Sequence, residues 1–414
     1  MFVKSYLSKL EPSSTLLINE QCKTLEESGR EVFKFGFGQS PFPIPQDIVD
    51  ELKAHAFEKD YLPVNGLLPL RNAIHKTLLQ KKLNHFSING IFVGPGTKQL
   101  MFLLQLAFDG DIILPAPSWV SYEPQSVISN NKVHWMQTKI ENNWHVTSKE
   151  ITEVLNQCTS KNKIIILNTP NNPSGTNANN LKELSDIFKK NNIIVLSDEI
   201  YSDLNFSESY ESIAKYYPEK TIISNGLSKW CGAGGWRLGF FAIPDCLKEL
   251  NDKMQVLASE AYSSPSAPIQ YAGIVAYESD QTKFLYHSKK ILNLISDYCY
   301  KKLKTNNIEV LKPEGGFYIM PDFSVLLKSK FKSSAELCKI ILDETGVALL
   351  PGSDFGFDSE KLIFRLSFVD FDGKKFLNYS YLQENLNEED LHIYAPKIAK
   401  GIQKIIDWAN KQRG

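Results

Sequence analysis

The chain predicts an α/β fold: a mostly parallel central sheet flanked by helices, with a smaller α+β domain formed by both termini. Three observations point there. Short apolar runs free of charge, such as Ile164–Leu167 and Ile193–Leu196, alternate with segments that are apolar at helical spacing. Strands with no polar face belong to a sheet covered on both sides, as parallel sheets are. The texture changes after about residue 290, and 414 residues exceed one ordinary core.

Element by element, Asp47–Glu58 and Pro69–Lys82 read as helices, Gly90–Val93 as a strand and Lys98–Phe108 as a helix. Strands follow at Asp111–Leu114, Lys163–Leu167, Ile193–Leu196 and Thr221–Ser224, with Leu181–Asn191 as one of the helices between them. A long helix is expected around Phe284–Lys304. Then come Gly315–Met320, a helix near Ser334–Glu344, strands near Val347–Leu350 and Leu362–Phe368, and a last helix over Ala395–Gln412. Pro41-Phe42-Pro43-Ile44-Pro45 is a stiff extended stretch that suits an arm or crossover. Polar Gly373–Leu391 reads as a surface insertion. The expected division is residues 1–46 (arm and part of the small domain), 47–290 (large domain) and 291–414 (small domain).

Bulk properties exclude several functions. With 43% hydrophobic and 22% charged residues the chain is globular, not disordered. A formal net charge of -1 provides no field to recruit nucleic acid or an anionic membrane, and the apolar runs are strand-sized. Six cysteines without a C-x-x-C pair or zinc-like spacing, and a start lacking a signal-peptide core, predict reduced thiols in a cytoplasm and no metal.

Chemistry gathers in Ser224-Asn225-Gly226-Leu227-Ser228-Lys229-Trp230, followed by Cys231-Gly232-Ala233-Gly234-Gly235-Trp236-Arg237. A lysine in a small-residue turn directly follows a strand, and an arginine lies eight residues on. Small residues let a bulky ligand approach the backbone; Lys229 and Arg237 offer an amine and a phosphate clamp. Gly94-Pro95-Gly96-Thr97-Lys98 separates a strand from a helix, where bare amides form an anion seat. Ser197-Asp198-Glu199-Ile200-Tyr201 ends another apolar strand, where an acid is either a helix cap or a ligand group. Asn168-Thr169-Pro170-Asn171-Asn172-Pro173 also reads as a plain turn.

Together these motifs resemble those of the class I and II pyridoxal-phosphate aminotransferases, the aspartate aminotransferase-like group of fold type I. The resemblance runs from about Glu11 to the last helix, with Gly373–Leu391 unmatched. It implies pyridoxal 5'-phosphate as cofactor and exchange of an amino group between an L-amino acid and a 2-oxo acid by a ping-pong route. It implies that Lys229 bears the cofactor and acts as general base, that Asp198 pairs with the pyridine nitrogen, and that Asn172 and Tyr201 hydrogen-bond the phenolic oxygen. It places Gly96, Thr97, Lys98, Ser228 and Arg237 around the phosphate, and Trp119 of Pro117-Ser118-Trp119 on the ring face. Many relatives carry a serine where this chain has Gly226, so the hydroxyl is expected from Ser228. Arg365 of Phe364-Arg365-Leu366-Ser367 and the Gly38 amide of Gly36-Phe37-Gly38-Gln39 would hold the substrate α-carboxylate. Tyr61 of Tyr61-Leu62-Pro63-Val64-Asn65-Gly66 resembles the tyrosine that reaches the neighbouring subunit's phosphate, which implies a homodimer with shared active sites. Two alternatives share the fold: a pyridoxal-phosphate β-lyase, and a non-catalytic ligand sensor. Pro351–Gly356 matches a family turn without an assignable role.

Overall fold

A computed structural model describes residues 2–8, 10–207, 210–327 and 330–413. Strands are numbered along the chain. β1 (Phe33–Lys34) lies near the N-terminus. Then come β2 (Ile91–Gly94), β3 (Asp111–Ala116), β4 (Lys132–Gln137), β5 (Lys163–Asn168), β6 (Ile194–Asp198), β7 (Thr221–Gly226) and β8 (Gly239–Ala242). β9 (Tyr318–Ile319), β10 (Val347–Ala348), β11 (Leu350–Pro351) and β12 (Phe364–Ser367) complete the set.

Seven strands form one sheet in the order β2-β8-β7-β6-β5-β3-β4. Only β8 runs against its neighbours β2 and β7; the other pairings are parallel. The charge-free strands are buried on both faces, as the expected sheet requires: Ile164, Ile165 and Ile166 are each 1% exposed. The flanking helices have a one-sided pattern. In Leu181–Lys190, Leu181, Leu184 and Phe188 are buried, while Lys189 and Lys190 occupy the last turn, facing the negative helix end.

Most expected elements are present with small changes at their ends, but the strand expected near Val347–Leu350 is split into β10 and β11, which belong to different sheets, and the structure adds others. β4, an edge strand alternating between exposed and buried residues, lacks the uniform apolar run of its neighbours. Helix Ser14–Glu27 buries only Cys22, so its sequence carries little core-facing pattern. β8 is four residues long and pairs antiparallel within a parallel context.

Both termini meet in a second unit. β1 pairs in parallel with β10, and β11-β12-β9 form an antiparallel sheet. Helices Thr282–Thr305, Ser334–Thr345 and Pro396–Arg413 surround it. The expected boundary at 290/291 falls inside helix Thr282–Thr305, which runs unbroken through it. A continuous core joins the two units, from Ile74 and Ile223 through Ile291 to Phe317, Phe364 and Ile402.

The expectation of a surface insertion at Gly373–Leu391 is corrected. Gly373–Ser380 and Glu388–Tyr394 are helices, and Phe376, Leu377 and Leu391 are buried in that core. Asn387 caps the second helix by a capping box with Asp390, whose carboxylate also accepts from Tyr379 Oη at 2.7 Å. The polar residues that suggested a surface are caps and outward faces around an apolar side. The six cysteines are all free thiols. Among the described residues no helix is long and apolar enough to cross a membrane.

Candidate active site

The parallel register brings the strand ends to one edge. Asn168 pairs with Asp198, and Asp198 with Ser224. Lys229 lies three residues beyond β7, Pro117 follows β3, and Gly96 follows β2. Open sheets bind ligands outside such carboxyl ends. Here a cavity of about 500 Å³ is bounded by Lys229, Asp198, Asn172, Trp119, Arg237 and Arg365 together with Thr97, Lys98, Ser228, Tyr201 and Gly38. Residues from all parts of the sequence thus converge on one space large enough for a cofactor and a small substrate.

Asp198 is the most informative member. It is 4% exposed, and its Oδ2 accepts from Tyr122 Oη at 2.7 Å, with no cation paired to it among the described residues. Burial pushes its carboxyl up from 3.8 to about 6, against the opposing effect of the Tyr122 hydrogen bond. A buried acid with only neutral donors lacks a partner cation, and a protonated pyridine nitrogen is one. Tyr201 donates from its hydroxyl to that of Tyr318 at 3.1 Å. Burial, then the Tyr318 phenol, hold the Tyr201 phenol well above its ordinary range, so it stays a neutral donor.

The anion seat is built by close backbone approach. Gly96 has φ +83°, and a Cβ there would overlap the Arg237 guanidinium. Arg237 itself adopts φ +59°, a conformation costly for a non-glycine residue, and Nη1 donates to the Gly234 carbonyl at 2.7 Å. Helix Thr97–Ala107 begins beside it, and its first residues Thr97 and Lys98 line the same space. Lys98 lies 4.9 Å from the Trp119 ring centroid. Its ammonium is held below its ordinary range by burial, then by Arg237 and Lys229. Gly226 cannot be serine here: a Cβ would stand 2.7 Å from the Gly239 Cα and the Leu238 carbonyl oxygen. That crowding explains the departure from the family's pattern; Ser228 lines the cavity instead.

Arg365, on β12 and 1% exposed, crosses from the second unit. Nη2 donates to the Gly36 carbonyl at 2.6 Å and Nη1 to Asn172 Oδ1 at 3.1 Å, while Nε has no hydrogen-bond partner among the described residues. Its guanidinium sits 4.5 Å from the Tyr318 ring centroid and 5.2 Å from that of Phe355. The turn Pro351–Gly356 therefore packs beneath Arg365, and the Phe355 carbonyl accepts from the Ser118 amide at 3.0 Å. Lys229 Nζ donates to the Gly38 carbonyl at 2.9 Å. The expectation named the Gly38 amide; the structure gives its carbonyl a partner.

Of the residues singled out from sequence, Tyr61 alone lies apart. It is 89% exposed on the loop between two helices and does not reach this chain's cavity. Gly96 forms the floor beneath Arg237. Sequence reasoning missed Tyr122, which anchors Asp198, and Tyr318, which anchors Tyr201 and backs Arg365. Tyr122 follows Trp119 within the same motif; nothing local marks Tyr318, 117 residues from its partner.

The geometry accommodates pyridoxal phosphate: a buried acid wanting a cation, a glycine-floored anion seat with an arginine, and an amine between them. The sequence pattern described as "Aminotransferase class I and II" matches residues 30–372. An aspartate aminotransferase of Bacillus sp. (strain YM-2) is 33% identical over 365 residues, covering 84% of this chain and 91% of that protein. A probable aspartate/prephenate aminotransferase of Aquifex aeolicus is 30% identical over 366 residues, covering 85% and 91%. The crystal structure of an aspartate aminotransferase from Thermotoga maritima superposes with a TM-score of 0.82 over 99% of this chain and all of that one, at 24% identity, a likeness of fold. An aromatic aminotransferase from Pyrococcus horikoshii does so with a TM-score of 0.78 at 26% identity, over 95% and 99%. From fold, site and sequence together, the chain belongs to the class I and II aminotransferases and is a pyridoxal-phosphate-dependent enzyme of amino-group transfer.

Proposed function

We propose that this chain exchanges amino groups between dicarboxylic amino acids and 2-oxo acids, with Lys229 as the cofactor-bearing lysine and proton carrier. The convergence of Lys229, Asp198 and Arg365 on one cavity supports the catalytic roles. The similarity to aspartate aminotransferases supports the substrate class.

Asp198 and Tyr201 would hold the ring nitrogen and phenolic oxygen, with Asn172 at the latter. Gly96, Thr97, Lys98, Ser228 and Arg237 would seat the phosphate, and Trp119 would cover the ring and exclude water. The bound cofactor supplies an electron sink for the substrate Cα. Asp198, ionised beside a cation, keeps that sink effective. Arg365 holds the α-carboxylate by a two-pronged grip and so fixes which Cα bond faces the lysine. Lys229 Nζ, on the same side of the bound group as the substrate Cα, would take up the Cα proton and carry it to the acceptor position, serving as base and then acid.

The working unit is a homodimer in the cytoplasm, in which exposed Tyr61 reaches the neighbouring subunit's phosphate seat. The division at 46/47 and near 290 separates a cofactor domain from a substrate-closing one, and Arg365 belongs to the moving part. Borohydride reduction followed by peptide mass mapping tests the core of this reading. A pyridoxyl group on Lys229, together with amino exchange between L-aspartate and 2-oxoglutarate, is expected. An adduct on another lysine refutes the assignment.

A further inference from the structure

We propose that Asp111, His134 and Cys158 form a binding site for one divalent transition-metal ion of the zinc type, at the sheet edge opposite the reaction cavity. Asp111 opens β3. His134 is the third residue of β4 and pairs with Ile113, which puts it on the same sheet face as Asp111, one diagonal step away. Cys158 comes from the loop between helix Ser148–Leu155 and β5. Amides of the next two residues pin that loop to Asp111: Thr159 and Ser160 N–H donate to Oδ2 at 2.8 and 3.1 Å. One ligand atom from each of Asp111, His134 and Cys158 lies within 4.8 Å of the others.

A plain hydrogen-bonded cluster does not account for His134. The residue is 6% exposed, and its Nε2 has no hydrogen-bond partner among the described residues. It stands 3.4 Å from Asp111 Oδ2 without the alignment of a hydrogen bond. That separation fits another geometry. A tetrahedral ion with bonds of about 2.1 Å to nitrogen and oxygen has edges of about 3.4 Å. The donor set also balances charge. A carboxylate, a thiolate and a neutral imidazole around a dication form a neutral unit, which avoids the cost of a buried net charge. Thiolate and imidazole favour zinc over magnesium or calcium. Binding releases the Cys158 thiol proton to water. Cys158 is half-buried, leaving the fourth position to solvent.

The ion would be structural. β3 runs from Asp111 to Ala116, roughly 17 Å of extended chain, before the segment that carries Trp119. A metal there ties two strands and a loop without approaching the substrate. The ligands are 23 and 24 residues apart in sequence, a spacing that matches no zinc motif.

The test uses the chelator-treated, cofactor-replete enzyme titrated with zinc chloride and then desalted. One zinc retained per chain is expected, with a raised melting temperature and unchanged turnover. His134→Gln and Cys158→Ser should each weaken binding by more than about tenfold. Cobalt(II) in the unsubstituted enzyme should show a thiolate-to-metal charge-transfer band, a readout that needs no variant to fold. Absence of retained zinc, affinity in both variants unchanged from that of the unsubstituted enzyme, or cobalt binding without that band would overturn the proposal.

Discussion

Asp198 places function against stability in a way that can be measured. Its carboxyl is raised from 3.8 to about 6, mainly by burial. In the cofactor-free enzyme the folded chain therefore holds this proton more tightly than the unfolded chain does. Above pH 6 the folded state must carry a buried, cation-free carboxylate, which costs about 3 kcal/mol relative to a neutral group. The cost builds between pH 3.8 and about 6, and about half of it is present at pH 5. Asp198→Asn keeps the shape and can hydrogen-bond Tyr122 in the reverse sense, because a phenol also accepts. The cofactor-free variant should thus be up to about 3 kcal/mol more stable than the parent at pH 8, and no more stable near pH 3.5. The cofactor-loaded forms should reverse this order, since the ring cation compensates the carboxylate in the parent alone. Urea unfolding of all four species at pH 8, 5 and 3.5 is the assay. A cofactor-free Asp198→Asn that is no more stable at pH 8, or whose advantage persists unchanged at pH 3.5, would refute burial as the cause. The variant should also lose about 100-fold or more in turnover.

Other substitutions probe separate links. Lys229→Ala should lower turnover by more than about 10⁴-fold while the enzyme still binds the cofactor non-covalently, as equilibrium dialysis would show. Arg365→Lys keeps the charge but loses the fork, and should reduce kcat/KM for amino acids by about 10- to 100-fold in steady-state assays. Gly226→Ser, which restores the hydroxyl many relatives carry, should destabilise this chain in thermal unfolding, because its Cβ meets backbone at 2.7 Å. Phe376→Ala should cost about 3–5 kcal/mol in unfolding, since Phe376 is fully buried; a cost near zero would restore the reading of that segment as surface.

The reach of the sequence follows from the range of the forces involved. Charge-free strands, helical spacing and glycine-rich strand-to-helix turns are local signals, and they determined the α/β class and the order of the main elements, while most residues of the cavity were named through the resemblance of their motifs to a family. Asp198 ends a strand, and Lys229, Asn172 and Trp119 each sit a few residues past one, so a parallel sheet must bring them to one edge. Arg365 was legible through its motif, though only the β9–β12 pairing shows how Tyr318 supports it. The rest depended on contacts between residues far apart in the chain. Tyr122 meets Asp198 across 76 residues, and His134 meets Asp111 and Cys158 with no common motif. Polar Gly373–Leu391 looked like surface because its exposed polar residues outnumber its buried apolar ones. Composition averages over a segment, while packing is decided by the few side chains that turn inward. Only the tertiary structure could show which ones do.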